Sequence, residues 1–153
     1  MLFRSVVLRV FNPLGNGSSP SSLPGRAARL IRDGIAVGSP SIHLADLGAQ
    51  RDFIDVRDVA DAVQRAVIAD DPPRLVNIGS GTATTARELV RAIAEIAGYE
   101  GSIDEDAVGS PRSASVGYQV ADVTLARAAL AWAASHNLHD AAAALWSGIG
   151  EGS

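Results

Sequence analysis

The sequence predicts an α/β fold, in which buried strands alternate with amphipathic helices. Residues 5–11 form a β-branched run of the kind found in buried parallel strands. Residues 53–56 are rich in strand formers and lead directly into apolar positions at helical spacing. Residues 74–78 repeat this arrangement, because a predicted helix over residues 85–97 follows that strand. Strands that alternate with helices are typical of a parallel sheet with helical crossovers.

The composition is that of about one globular domain. The 153 residues are 47% hydrophobic and 20% charged, and the net charge is −4. Without a basic stripe, nucleic acid is not an expected partner. The absence of cysteine excludes disulfides and thiolate metal sites and favours a cytoplasmic location. No apolar run approaches the ~20 residues of a membrane span, so no membrane contact is expected.

The first half of the chain contains two predicted helices and a short strand between them. The first strand ends in a Gly/Asn/Pro loop over residues 11–17, and residues 23–33 are predicted to form a helix. Ser22 suits the start of that helix and Gly34 suits its end. A short strand is expected over residues 41–44. The second helix is predicted to begin after Asp58, which is a good N-cap residue.

The second half contains three further predicted helices. Thr85 and Glu88 have the spacing of a capping box, and Gly98 is expected to end that helix. The acidic, turn-rich residues 100–110 predict no regular element. Helices are predicted over residues 124–131 and 138–146, the second with Asn137 as its cap.

Arg51 offers clear chemistry from its position alone. It stands just before the central strand, where a guanidinium can make two parallel hydrogen bonds to a phosphate. The alternative is an arginine that forms a salt bridge with a neighbouring carboxylate. The residues by themselves leave both interpretations open.

Four short motifs along the chain together resemble one family. They are Leu-Arg-Val-Phe-Asn-Pro at residues 8–13, Arg-Asp-Phe-x-x-Val-x-Asp-Val-Ala-x-Ala at residues 51–62, Asn-Ile-Gly-Ser-Gly at residues 77–81, and an Ala-Asp pair at residues 121–122 that follows Arg112 by nine residues. In this order they resemble the C-terminal half of the extended short-chain dehydrogenases/reductases, the NAD-dependent nucleotide-sugar epimerases and dehydratases.

The resemblance implies that the ligand is a nucleotide-diphosphate sugar. It assigns the diphosphate to Arg51 and Arg112, and the sugar-nucleotide to Asn12 and Asn77. Asn12 has an alternative, because an Asn in a loop can also be a turn residue that satisfies its own backbone. Ala114 and Ser115 replace the Gly and Asp that the family has two and three residues after the arginine equivalent to Arg112, so a contact expected from the Asp is missing or altered.

Three further residues receive roles from the same resemblance. Phe11 falls near the nicotinamide cofactor, and Ser22 lies at the start of the helix that covers the substrate. His43 falls where the family lines the nucleotide pocket, although a lone His on a strand is more often structural.

Two parts of the family's active site have no counterpart here. All 13 basic residues are arginine, so the Tyr-x-x-x-Lys pair that removes the substrate's hydroxyl proton is absent. Gly79 and Gly81, followed by Thr84, superficially match a dinucleotide-binding fingerprint, but Thr stands where that motif has its third glycine. The three histidines lack a metal-ligand arrangement. No catalytic residue and no metal ligand are therefore assigned.

The sequence thus predicts the α/β substrate-binding part of an extended Rossmann-type short-chain dehydrogenase/reductase, with the nucleotide-binding half missing. Residues 1–17 would end the parallel-sheet region, residues 18–147 would bind substrate, and residues 148–153 would form a disordered tail. NAD(P) is expected in the intact enzyme and not on this chain alone, which is expected to be inactive. The alternatives are a non-catalytic binding or regulatory module and a non-functional remnant. The apolar strand edge at residues 5–10 predicts self-association.

Overall fold

The computed structural model describes residues 5–107 and 116–149, and the predicted α/β class is confirmed. The elements in chain order are β1 (Val7–Val10), β2 (Asn12–Leu14), α1 (Leu23–Val37), β3 (Ser41–His43), β4 (Gln50–Arg51), β5 (Phe53–Asp55), α2 (Val56–Ile68), β6 (Leu75–Ile78), β7 (Thr84–Thr85), α3 (Ala86–Ala97), β8 (Ser102–Asp104), α4 (Thr124–Leu130) and α5 (Leu138–Ile149).

The described strands pair two by two. The pairs β1–β6, β2–β5 and β3–β8 are parallel, and the pair β4–β7 is antiparallel. Each parallel pair joins segments far apart in sequence, as parallel pairing requires. β1 is a parallel strand as predicted, but it is not fully buried. Val7 is 57% exposed, because β6 is the one strand that pairs with β1 among the described residues.

The described residues form two hydrophobic cores. One core packs α1, α3 and α5 together, and its fully buried members include Leu14, Ile31 and Leu89. The other packs α2 and α4 against β1 and β6 and contains Trp132 and Ile78. Both cores contain residues from most of the chain. The boundary expected at residue 17, between the parallel-sheet region and the substrate-binding region, stays a prediction.

The first helix begins as predicted but ends four residues later than Asp33. Ser22 caps α1, since its hydroxyl accepts a hydrogen bond from the Gly25 amide at 3.3 Å. Gly34 does not end the helix. It is buried instead, where a Cβ would lie 3.3 Å from the Tyr99 ring. The helix stops at Gly38, which adopts the left-handed conformation with φ +63°.

The N-cap of α2 is Asp55, and the prediction of Asp58 is wrong. Because β5 runs directly into α2, the helix starts three residues earlier, and the Asp55 carboxylate accepts from the Arg57 amide at 2.8 Å. Asp58 lies in the first turn and is 3% exposed. Its carboxylate accepts four hydrogen bonds from Ser135 and His136, at 2.7–3.1 Å. Asp58 therefore fastens the segment between α4 and α5 to α2.

Later elements largely follow their predicted bounds. Thr85 and Glu88 form the predicted capping box, and Gly98 ends α3 in the left-handed conformation. Asn137 caps α5, which continues through Ile149. The acidic stretch after residue 100 contains β8, a strand with no sequence signal of its own. It forms because β3 offers it a parallel partner.

Candidate functional site

A cavity of about 860 Å³ lies where three helices begin. Leu23, Val56 and Ala86 are the first residues of α1, α2 and α3, and all three line it. The positive ends of the helix macrodipoles therefore meet at one place, which favours an anionic ligand. The volume is in the range of small-molecule binding sites.

The other walls of this cavity come from two loops and from three strands. One wall is β2 and the loop after it, with Asn12, Pro13, Asn16, Gly17, Ser18 and Ser19. The facing wall is the loop before β4 together with β4 and β5, with Ala45, Asp46, Leu47, Ala49, Arg51 and Phe53. Arg51 is the one cation among the described lining residues.

Arg51 lines the cavity and points its guanidinium at backbone carbonyls. Nη1 donates to the Gln50 oxygen at 2.9 Å, and Nη2 donates to the Val116 oxygen at 2.5 Å. The predicted alternative, a salt bridge, is not formed within the described parts of the chain. The main chain of Gln50 also binds the segment that contains Val116. The Gln50 amide donates to the Gly117 carbonyl, and the Gln50 carbonyl accepts from the Gln119 amide.

Asn12 also lines the cavity, and its carboxamide is held by another strand. Nδ2 donates to the backbone oxygen of Asp52 at 2.9 Å, and the Asn12 amide donates to the same oxygen at 3.1 Å. The side chain therefore does not satisfy its own backbone, which was the alternative interpretation.

Ser22 is the third predicted residue that the structure brings to the cavity. Its hydroxyl donates to the Ser19 carbonyl at 2.6 Å and accepts from the Gly25 amide. Gly25 must lack a Cβ, which would lie 2.2 Å from the Ser19 oxygen. These contacts fix the loop before α1 against the start of the helix.

Asn77 does not line the cavity. Its Nδ2 donates to the Asp122 carbonyl at 3.3 Å, and its Oδ1 is buried without a hydrogen-bond partner in the described residues. Nothing described in the structure explains this unsatisfied acceptor. The nucleotide role of Asn77 stays a prediction.

Phe11 and His43 also lie away from the cavity. Phe11 is half-buried against the core that contains Trp132. His43 is exposed on β3, where Nδ1 lies 2.8 Å from Asp106 Oδ1. The hydrogen bond and the charge of Asp106 raise the pKa of His43 above its ordinary value. The cofactor role of Phe11 and the nucleotide role of His43 remain predictions, and Arg112 lies outside the described residues.

The glycine turn after β6 binds an internal carboxylate. The amides of Ser80 and Gly81 donate to Asp52 at 2.7 and 3.0 Å, and the Ser80 hydroxyl donates at 2.7 Å. Gly81 has φ +76°, and successive amides in such a turn form a concave anion site. Because Asp52 fills this site, the turn does not fit the pyrophosphate of a dinucleotide.

Sequence reasoning missed Asp52, although it belongs to the motif that begins at Arg51. The side chain is 0% exposed, and the same carboxylate also accepts from the Ala121 amide at 3.0 Å. A signal was available, since an Asp between strand-forming residues is expected to be buried and hydrogen-bonded when the strand is central.

The family whose model matches this chain is the NAD dependent epimerase/dehydratase family, over residues 2–79. The match covers just over half of the chain. The chain belongs to the NAD dependent epimerase/dehydratase family, and the resemblance found in the sequence is confirmed.

Relatives and solved structures agree with this family. The dTDP-6-deoxy-L-talose 4-dehydrogenase (NAD(P)(+)) of Kitasatospora kifunensis is 37% identical over 143 residues, which cover 93% of this chain and 45% of the relative. RMD from Pseudomonas aeruginosa, solved with NADPH, superposes with a TM-score of 0.83 at 25% identity, over 95% of this chain and 48% of that one. MoeE5, solved with UDP-glucose and NAD, gives a TM-score of 0.77 at 28% identity, over 94% and 46%. The chain spans less than half the length of each of these proteins.

Residues 5–107 and 116–149 contain neither a candidate metal cluster nor a helix that could span a membrane. In these ranges, no group of three or more His, Asp or Glu side chains could hold a metal ion. None of the helices there is both long and apolar enough to cross a bilayer.

Proposed function

We propose that this chain binds a nucleotide-diphosphate sugar in the 860 Å³ cavity. The observation that carries the proposal is that Asn12, Ser22 and Arg51, which are far apart in sequence, line this one cavity. The proposal agrees with the family of the chain and with a solved relative that holds UDP-glucose.

Three helix starts and one cation can bind a diphosphate in this cavity. Asp46 is the one anion among the described lining residues, and its carboxylate accepts a hydrogen bond from the Gly48 amide. Arg51 supplies a guanidinium, and the starts of α1, α2 and α3 supply the positive ends of three helix dipoles. Arg51 donates to two neutral carbonyls in the structure, and a phosphate oxygen is a stronger acceptor than a carbonyl. We therefore expect Arg51 to exchange at least one of these carbonyls for a phosphate when the ligand binds.

The remaining lining suits the uncharged parts of such a ligand. Asn12, Asn16 and Ser18 offer amide and hydroxyl groups that can hydrogen-bond to sugar hydroxyls. Leu23 and Phe53 provide an apolar surface for a ring face. Ser22 keeps its predicted substrate role in this proposal, since it lines the cavity. Asn77 and His43 lie away from the cavity and Arg112 lies outside the described residues, so their substrate roles stay predictions.

We propose that the chain does not catalyse the family's reaction by itself. In this family NAD(P) carries the hydride that the reaction transfers. The reaction also needs a turn that binds the phosphates of the cofactor and an acid–base pair on the protein. The turn at residues 79–81 is occupied by Asp52, and the sequence contains no lysine for a Tyr-x-x-x-Lys pair. These functions would come from residues other than those of this chain.

The test is calorimetry of the full 153-residue chain with a panel of UDP-, dTDP- and GDP-sugars. We expect saturable binding of at least one of them and no binding of NAD. Arg51→Ala is expected to weaken the binding roughly ten- to hundredfold, because it removes charge-assisted hydrogen bonds to the phosphates.

Arg127→Ala is the matched control, since it removes an exposed arginine of α4 that does not line the cavity. Equal affinities of Arg51→Ala and Arg127→Ala would remove Arg51 from the site. Binding without turnover when NAD is added agrees with a non-catalytic binding module. Failure of every sugar nucleotide to bind would contradict the proposed function and favour a non-functional remnant.

Self-association through the side of β1 that pairs with no strand among the described residues is a second proposal about this chain. It is supported by the exposure of Val7 and by an apolar groove of about 410 Å³ beside β1, lined by Val6, Leu8, Val63 and Val67 among others. Its test belongs to the whole molecule and is given in the Discussion.

A further inference from the structure

The carboxylate of Asp52 is fully buried and is held by uncharged donors. It is 0% exposed, and no ion pair among the described residues involves it. Oδ1 accepts from the Ser80 amide and hydroxyl, and Oδ2 accepts from the amides of Gly81 and Ala121. A buried anion without a cation is costly unless all its acceptor positions are used, and here four donors converge on it.

These donors come from two separate parts of the chain. Ser80 and Gly81 belong to the turn after β6, and Ala121 belongs to the segment that leads into α4. The packing is too close for a side chain at Gly79, where a Cβ would lie 2.6 Å from Asp52 Oδ2 and 2.6 Å from the Ala121 Cβ. The carboxylate therefore holds the turn after β6 and the segment before α4 close to residue 52.

The main chain of Asp52 meets the cavity. The backbone carbonyl of Asp52 accepts both hydrogen bonds from Asn12. The backbone nitrogen of Asp52 forms the peptide bond with Arg51. Both neighbours line the cavity. The direction of the Asp52 peptide groups therefore sets where the Asn12 carboxamide and the Arg51 side chain lie.

We infer that Asp52 is a positioning residue of the cavity. It does not line the cavity itself, and its buried carboxylate fixes the backbone from which Asn12 and Arg51 reach the ligand. This inference rests on the proposed function for the identity of the ligand. The structural part, that Asp52 holds Asn12, does not depend on any ligand.

Replacement by asparagine separates the charge from the shape. Asp52→Asn keeps the side-chain volume, but one of the two oxygens becomes an NH₂ group that faces two donors. At least one of the four hydrogen bonds is lost, because an NH₂ group cannot accept from a backbone amide, and the peptide groups of residue 52 lose part of their anchoring.

Asp58→Asn is the matched control. Asp58 is also a buried aspartate whose carboxylate accepts four hydrogen bonds, and its donors, Ser135 and His136, do not line the cavity. Both variants lose a buried carboxylate, so a general loss of stability is common to the two.

The experiment measures binding and local structure in the full chain. Calorimetry uses the sugar nucleotide that the wild type binds, and a ¹H–¹⁵N spectrum without ligand reports the Asn12 side-chain NH₂ group. We expect Asp52→Asn to weaken binding about tenfold or more, as small misplacements of binding groups do, and to shift the Asn12 NH₂ resonances. Asp58→Asn is expected to change affinity less than about twofold and to leave those resonances in place.

Equal effects of the two variants on affinity, or unmoved Asn12 resonances in Asp52→Asn, would overturn the inference. If Asp52→Asn does not fold, Ser80→Ala serves instead, since it removes the hydroxyl donor to Asp52 and keeps the three amide donors. It is expected to shift the Asn12 resonances in the same direction by less. A wild type that binds no sugar nucleotide would contradict the proposed function, while the Asn12 resonances would still decide the positioning role.

Discussion

Three buried aspartates within seven residues hold different parts of the chain together. Asp52 binds the turn after β6 and the segment before α4, Asp55 caps α2 and pairs with Arg57, and Asp58 binds Ser135 and His136. Burial raises the pKa of Asp55 and Asp58, but hydrogen bonds from their partners outweigh it and hold both pKa values below the ordinary one. The motif that identifies the family therefore acts largely as a structural junction.

At the residue scale, the His43–Asp106 pair predicts a pH dependence. Because the pKa of His43 is raised, its ion pair with Asp106 stabilises the folded chain fully below the ordinary His value of 6.5 and is lost as the pH rises through the raised pKa. Asp106→Asn is expected to return the pKa of His43 toward 6.5. A titration of the His43 ring by NMR measures both values.

The control for this titration is Asp33→Asn, which removes an exposed carboxylate that pairs with Arg32 and not with His43. The pKa of His43 is expected to stay raised in that variant. An unchanged His43 pKa in Asp106→Asn would show that the pair does not form in solution.

At the scale of elements, α4 ends under backbone strain. Ala131, the residue after the helix, has φ +48°, and it is the one non-glycine residue with positive φ among the described residues. An L-residue pays roughly 1–2 kcal/mol in this conformation, whereas glycine does not. Ala131→Gly is therefore expected to stabilise the chain by up to about 1 kcal/mol, after the larger entropy of glycine in the unfolded chain is counted.

Urea unfolding measures this difference, and Ala128→Gly is the matched control. Ala128 is exposed within the same helix, where glycine is expected to destabilise by about 1 kcal/mol. The two substitutions should move the midpoint in opposite directions. A loss of stability in Ala131→Gly comparable to that in Ala128→Gly would contradict the strain at this position.

At the scale of the whole molecule, the side of β1 that pairs with no strand among the described residues and the adjacent groove predict self-association. Val67 lines the groove and is 78% exposed, so Val67→Lys places a charge on the proposed contact without disturbing a core. We expect the wild type to associate as its concentration rises and Val67→Lys to associate less. Sedimentation velocity over a range of concentrations measures the difference.

Val37→Lys is the matched control, because Val37 is 79% exposed in the last turn of α1 and does not line the groove. It is expected to associate like the wild type. A wild type that stays monomeric at high concentration would contradict self-association. Equal effects of Val67→Lys and Val37→Lys on the association would place the contact elsewhere.

Most helices and strands of this chain could be predicted from local sequence signals. Ser22, Thr85 and Asn137 were predicted as helix caps and are caps, because capping depends on the few residues around each helix end. The order of the family motifs was also readable from the sequence. The same local reasoning failed at Asp58 and Gly34, whose roles are set by His136 and Tyr99 from distant parts of the chain.

By itself, the sequence determined the α/β class, the family and three residues that line the cavity. Only the tertiary structure decided that Asn12, Ser22 and Arg51 share a cavity at three helix starts, and that Asp52 fills the glycine turn. Strand pairing such as β3 with β8 likewise joins residues about 60 positions apart. The physical reason is that contacts between distant segments depend on how strands and helices pack together, and no pattern confined to one segment records which other segment will meet it.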